Sequence, residues 1–321
     1  MELFVKKIAI FVFILFLLAI VLQAIISFRI SRLFVSKKGI LEQTAGVNAD
    51  LVLLGSSRCW MQIDAAFFDS SFHISTANLG VNGHPELSMA IVRLKQYLLT
   101  NKAPGYAILS FDPLSTTGSE TDDTNYVYKD KFSVYAFLPD KNDLLLVDYF
   151  RFRWWEKYLP LYTAFKYNLT SDFFTKRDLT RTMEHGYDIF QEKWDTLATP
   201  VSHQKPAISG KKDMLNSLQV LKDLCDKNNI RLFCLQTPVY KSLYDSTAFS
   251  VTREICKSLQ IPFTDVNKGY IISNTNYFYN SSHLNKEGVA LMNHCLQEDS
   301  MLTSFLGAQD RLGGLQGSAD H

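Results

Sequence analysis

The sequence predicts an α/β protein: a parallel sheet covered by helices on both faces, preceded by a membrane-spanning helix and interrupted by one long insertion. Three observations carry this. Short apolar runs of strand length alternate with amphipathic stretches of helical period, the pattern of buried parallel strands joined by crossover helices. The chain has 321 residues, 47% hydrophobic and 20% charged, an ordinary globular mixture long enough to bury a sizeable core. Its 33 Lys and Arg balance 32 Asp and Glu, for a formal charge of +1. That balance excludes nucleic-acid binding driven by bulk charge, and it excludes an acidic disordered chain.

In chain order, residues 8–28 come first, IAIFVFILFLLAIVLQAIISF, with Gln23 and Ser27 as the polar interruptions. About 20 apolar residues span a bilayer as a helix. The run is longer than a signal-peptide core and no small-x-small cleavage site follows it, so it predicts an uncleaved anchor. Residues 1–7 are then a short tail and 29–49 a juxtamembrane linker. Lys6 and Lys7 precede the span; Arg29, Arg32, Lys37 and Lys38 follow it. Counting flanking cations puts the C-terminal side in the cytoplasm, but a short N-terminus can equally stay inside, so charge leaves the orientation open.

Residues 50–306 form the predicted globular domain. Asp50 to Gly55 (DLVLLG) reads as a buried strand. Pro85 to Leu99 has helical spacing with Pro85 in a first turn. Tyr106 to Phe111 is a second strand, Lys212 to Lys227 an amphipathic helix, and Arg231 to Leu235 the strand after it. Val251 to Leu259 is a helix, Phe263 to Val266 a short strand, and Lys286 to Leu296 a closing helix. Residues 115–210 break this rhythm, being too long for one crossover, and read as an inserted helical cap. Tyr126 to Tyr167 alone holds 14 aromatic residues, Trp154 and Trp155 among them. They suit the cap's own core, a sugar-stacking platform or a surface resting on the bilayer. Residues 307–321 are Gly/Ser-rich and predicted disordered. Cys59, Cys225, Cys234, Cys256 and Cys295 are an odd count without a CxxC pair, so neither a disulfide framework nor a cysteine metal site is expected. His73, His185, His203, His294 and His321 lack ligand spacing, so no metal is expected, and no cofactor.

Three stretches carry candidate chemistry. In LVLLGSSRCW a buried strand runs into Gly55-Ser56-Ser57-Arg58, placing a serine where α/β sheets hold ligands. A helix starting there aims free N–H groups at the serine oxygen. Spacing leaves Ser56 and Ser57 open as the nucleophile. In NLGVNGH, Asn78 to His84, Gly80 and Gly83 let backbone approach a ligand. In FYNSSHLNKEG, Phe278 to Gly288, His283 lies in a polar loop before a helix, where a general base would face the serine.

Together, in this order, these stretches resemble the SGNH (GDSL-like) hydrolase superfamily over about residues 50–111 and 230–297. The resemblance implies a three-layer, flavodoxin-like fold, with Ser57 as nucleophile, His283 as base and Gly80 as oxyanion glycine. It is most similar to membrane-anchored envelope members with Gly-Ser-Ser for Gly-Asp-Ser and a His-Leu-Asn-x-x-Gly ending, such as those of lipoteichoic-acid D-alanylation and alginate O-acetylation. It implies a serine O-acyl esterase or acyltransferase modifying an envelope polysaccharide beside a membrane-bound O-acyltransferase. The implied location is the bacterial cytoplasmic membrane, single-pass, with the domain outside the cytoplasm. A non-catalytic scaffold binding glycan or such a partner is the alternative.

Two departures matter. Asn280 stands where the family pattern has Asp; it can orient an imidazole but adds no charge. Asp265, at a strand end, is the alternative acid. The family's Asn block is also missing: the second strand ends Ser110-Phe111-Asp112-Pro113, leaving Asn82 as a candidate oxyanion donor. Arg58 next to the serine, His84 beside the glycine block and Tyr240 after the RLFCL strand are candidate substrate contacts.

Overall fold

The structure, a computed structural model, describes residues 2–35, 44, 46–81, 87–111, 113, 189, 191–203 and 211–307. The chain divides into two units, one of residues 1–42 with 121–182, the other of 43–120 with 183–321. Of the expected cap over 115–210, residues 115–188, 190 and 204–210 lie outside the described residues, as does the tail beyond 307.

In the first unit, α1 (Glu2–Val35) is a single 34-residue helix. At 1.5 Å per residue it is about 50 Å long, so it overruns the expected span of residues 8–28 at both ends. Its Glu2–Leu22 stretch has a mean hydropathy of 2.8 and no buried residue, and is long and apolar enough to cross a membrane.

The second unit is built on five parallel strands in the order β2-β1-β3-β4-β5. They are β1 (Leu51–Leu54), β2 (Thr76–Asn78), β3 (Tyr106–Ser110), β4 (Arg231–Gln236) and β5 (Phe263–Asp265). This is a doubly wound α/β sheet, and the chain passes from β3 to its neighbour β4 across the insertion. Alternation along the strands sends side chains to two faces. Leu51, Leu53, Ile108, Phe233 and Leu235 share one buried cluster. That cluster is covered by α3 (Ala65–Phe72), α8 (Lys286–Gln297) and α9 (Ser300–Phe305). On the other face α4 (Leu87–Thr100) packs on β1, and α5 (Lys211–Lys227) packs on β4 and on α6 (Ser246–Ser258). Cys225, Cys234 and Cys256 are buried thiols where α5, β4 and α6 meet.

The order places the topological switch between β1 and its two neighbours, and ligands bind outside the strand ends at such a switch. α2 (Ser57–Gln62) starts there, capped by Ser56. Gly55, between β1 and that cap, has φ +146°, and a Cβ on it would lie 2.8 Å from Cys59 Cβ and 2.9 Å from Ser110 Cβ. Glycine is therefore required for β1 to turn into α2 beside β3.

Several details differ from the sequence-based expectation. His283 is in a short antiparallel hairpin, β6 (Phe278–Asn280) with β7 (His283–Leu284), not in a loop. α9 follows the helix expected to close the chain. The return of the insertion docks on the hairpin: Trp194 N–H donates to Phe278 O at 2.9 Å and Ser202 N–H to Ser281 Oγ at 2.9 Å. α7 (Gly269–Ile272) and a 3₁₀ turn (Thr275–Tyr277) connect β5 to that hairpin.

Candidate active site

Ser57, at the first position of α2, and His283, on the hairpin, are 226 residues apart in sequence. Ser57 Oγ lies 2.8 Å from His283 Nε2. The hairpin is held to α2 by Gln62, whose Nε2 donates to Ser282 O at 2.9 Å. It is held to the β4 exit by Tyr240 N–H, which donates to Ser281 O at 2.9 Å. Asn285, buried behind it, accepts from Gly288 N–H at the start of α8 and donates to Phe278 O.

The tautomer of His283 follows from the backbone. The N–H groups of Ser282 and His283 each donate to Asn280 Oδ1 at 3.0 Å. Backbone N–H groups can only donate, so the amide atom they meet is the oxygen. That oxygen is also 3.0 Å from His283 Nδ1. Two bare acceptors would repel at this distance, so Nδ1 carries the proton. Nε2 is then the open nitrogen, in position to accept the Ser57 hydroxyl proton. Burial first, then the nearby Arg58 guanidinium, lowers the imidazole's pKa from 6.5 to about 4. The ring is therefore neutral at neutral pH and a weak base.

Asp265, the alternative acid, is engaged elsewhere. Its Oδ1 accepts from Asn267 N–H and Nδ2 at 2.9 and 2.8 Å, and its Oδ2 lies 3.4 Å from Arg253 Nη2. Asn280 Oδ1 and Ser282 Oγ, each 3.0 Å from Nδ1, stand on that side of the imidazole instead.

Gly80 is in place but differently used. Its N–H donates to Asn78 Oδ1 at 2.9 Å rather than pointing freely into the crevice. Asn78 is buried, and its Nδ2 donates to Cys59 O and Ile63 O, tying the end of β2 to α2. A Cβ on Gly80 would come within 2.5 Å of Trp60 N, so the glycine lets α2 pack against this loop. Arg58 is buried, and its Nη2 donates to Thr237 O and to Thr237 Oγ1. It links α2 to the β4 exit and is not displayed to solvent as an anion contact. Tyr240 is likewise packed inward, its ring edge-to-face with Trp194 at 5.2 Å and Phe278 at 5.6 Å. Asn82 and His84 lie outside the described residues.

Sequence reasoning passed over Ser282, Gln62, Asn78 and Trp194. Ser282 and Asn78 were visible inside the quoted His283 and glycine stretches; Gln62 and Trp194 carry no signal beyond polarity or size.

No family model and no curated protein matches the chain. Among solved structures it is similar to a Bacteroides fragilis NCTC 9343 protein provisionally named an acylhydrolase. The identity is 11% over 79% of this chain and 87% of that one, with a TM-score of 0.37. It is also similar to a GDSL-like lipase of Bacteroides thetaiotaomicron VPI-5482, at 10% identity over 77% and 85% of the two chains, with a TM-score of 0.37. Both likenesses are remote, and the fold described above stands on its own strand order.

Proposed function

We propose that the chain is a membrane-anchored serine O-acyl esterase or acyltransferase of SGNH type, acting on a cell-envelope polysaccharide. One observation carries the catalytic part: Ser57 Oγ sits 2.8 Å from an imidazole nitrogen whose partner nitrogen is pinned by Asn280. Nucleophile, base and orienting group stand in hydrogen-bond reach, the geometry that activates a hydroxyl. The membrane and the polysaccharide rest on α1 and on the motif resemblance.

In this mechanism His283 Nε2 takes the Ser57 proton while Oγ attacks the ester carbonyl carbon. The N–H of Ser57, in the first turn of α2 and without an intrahelical acceptor by position, faces the developing oxyanion. With the Gly80 N–H committed to Asn78, Asn82 is the second candidate donor. Collapse expels the alkoxide, which leaves with the proton from Nε2, and the acyl group stays on Ser57. Water, or a sugar hydroxyl for transfer, gives its proton to Nε2, attacks the acyl-serine and regenerates the hydroxyl. A membrane-bound O-acyltransferase is the proposed partner supplying acyl groups.

The test is a fluorophosphonate probe on the full-length protein in detergent. Labelling that disappears in Ser57→Ala and His283→Ala supports the reading; a parent labelled no more than Ser57→Ala overturns it. The scaffold reading is favoured by the neutral Asn280 and the weakly basic His283, and absent labelling would leave it standing.

A further inference from the structure

We propose that Ser282 is a positioning residue that completes the acid position, its hydroxyl sharing the Nδ1 proton of His283 with Asn280. The proposal rests on the esterase reading above for its kinetic consequence, and on geometry alone for its structure. Ser282 Oγ lies 3.0 Å from His283 Nδ1 and 3.1 Å from Asn280 Oδ1, closing a triangle with the 3.0 Å contact between those two atoms. The serine is fixed on both sides of its side chain. Its N–H donates to Asn280 Oδ1 and its carbonyl accepts from Gln62 Nε2. Ser281 before it is tied to Tyr240 and Ser202.

One proton arrangement satisfies these three contacts together. Nδ1–H donates into the space between Asn280 Oδ1 and Ser282 Oγ, and the Ser282 hydroxyl donates to Oδ1. The reverse arrangement, with the hydroxyl donating into a bare Nδ1, leaves two acceptors facing each other at 3.0 Å. It also puts a proton on Nε2 and removes the base. When Nε2 takes the Ser57 proton, the new positive charge meets two oxygen dipoles instead of one. Among the described residues the charged group acting on the ring is Arg58 on α2, which opposes that charge. Asn280, lacking a carboxylate, answers it incompletely, and the serine supplies a second acceptor. Thus two neutral side chains at positions 280 and 282 share the orienting role that a single carboxylate has in the family pattern, without its charge.

The experiment uses the full-length protein in detergent, labelled with ¹⁵N-histidine, with His283→Gln assigning the resonance among the chain's 7 histidines. It reads the tautomer and titration of His283, and separately the fluorophosphonate labelling rate of Ser57 against pH. The parent should show the Nδ1–H tautomer. Ser282→Ala should move the ring's titration about one pH unit lower and slow labelling about tenfold, the size of one hydrogen bond. Ser282→Thr should restore both, and Asn280→Asp in the Ser282→Ala background should restore labelling. An unchanged tautomer and titration in Ser282→Ala, with slower labelling alone, makes Ser282 merely structural and overturns the proposal; so does an Nε2–H parent. If the parent is not labelled, the esterase reading fails, and the resonance measurements still decide the role of Ser282.

Discussion

Asn280 sets the chemical ceiling of this site. In the serine-protease template, replacing the acid by its amide costs about 10⁴ in rate, because the imidazole adopts the wrong tautomer. Here two backbone N–H groups force the amide oxygen toward Nδ1, so the tautomer is already right. Only charge is lacking. Asn280→Asp is therefore expected to speed Ser57 labelling by about 10- to 100-fold, less than the template's full loss. Asp265→Asn should leave the rate unchanged, since Asp265 serves Asn267 and Arg253. The pH profile follows from the same ring. The parent's labelling should rise as pH passes about 4 and stay flat to neutrality, and Asn280→Asp should move that limb upward. Stability has a matching sign. The folded ring titrates near 4 and the unfolded one at 6.5, so the unfolded chain takes up the proton first as pH falls. The contribution of neutral His283 is complete above about 6.5 and is lost as pH drops toward 4. Melting temperatures of the parent should fall relative to His283→Gln across that window.

At the scale of elements, the central strands were legible because parallel strands buried on both faces need unbroken apolar runs, and Leu51 to Leu54 and Tyr106 to Ser110 have them. The hairpin was not. Its strands are two and three residues of mixed polarity, stabilised by Asn280 and Asn285 rather than by a hydrophobic period. Ser57 and His283 stood out by motif, but whether Asn280 or Asp265 served the ring was a matter of side-chain direction, which spacing does not encode. Tyr240 misled for a related reason. A residue after a strand's C-terminal end points to the crevice by rule, whereas its ring finds Trp194 from a segment far away in sequence. Two substitutions probe these supports. Gly55→Ala should prevent β1 from entering α2, lowering thermal stability and abolishing labelling together. Trp194→Ala removes a buried ring and should cost about 3–5 kcal/mol in chemical denaturation. It should also slow labelling, because Trp194 backs the hairpin that carries His283.

For the whole molecule, α1 makes the first prediction: the full chain should pellet with membranes and resist alkaline extraction, while a version lacking residues 1–42 should not. The other feature of this scale is the route of the chain between the sheet and the hairpin. It leaves after Phe111, whose N–H is bonded to Leu235 O, and re-enters at Trp194, bonded to Phe278 O. Residues 43–120 and 183–321 thus make one unit from two separated stretches, and each exit is fastened to that unit by its own hydrogen bond. In genetic terms the serine and the imidazole reside on separable coding halves. An engineered protease site within 121–182 should, once cut, yield fragments that remain associated and still label at Ser57. Association and labelling after the cut would mean that the distance between nucleophile and base is kept by the strands and hairpin of that unit without a continuous chain between them.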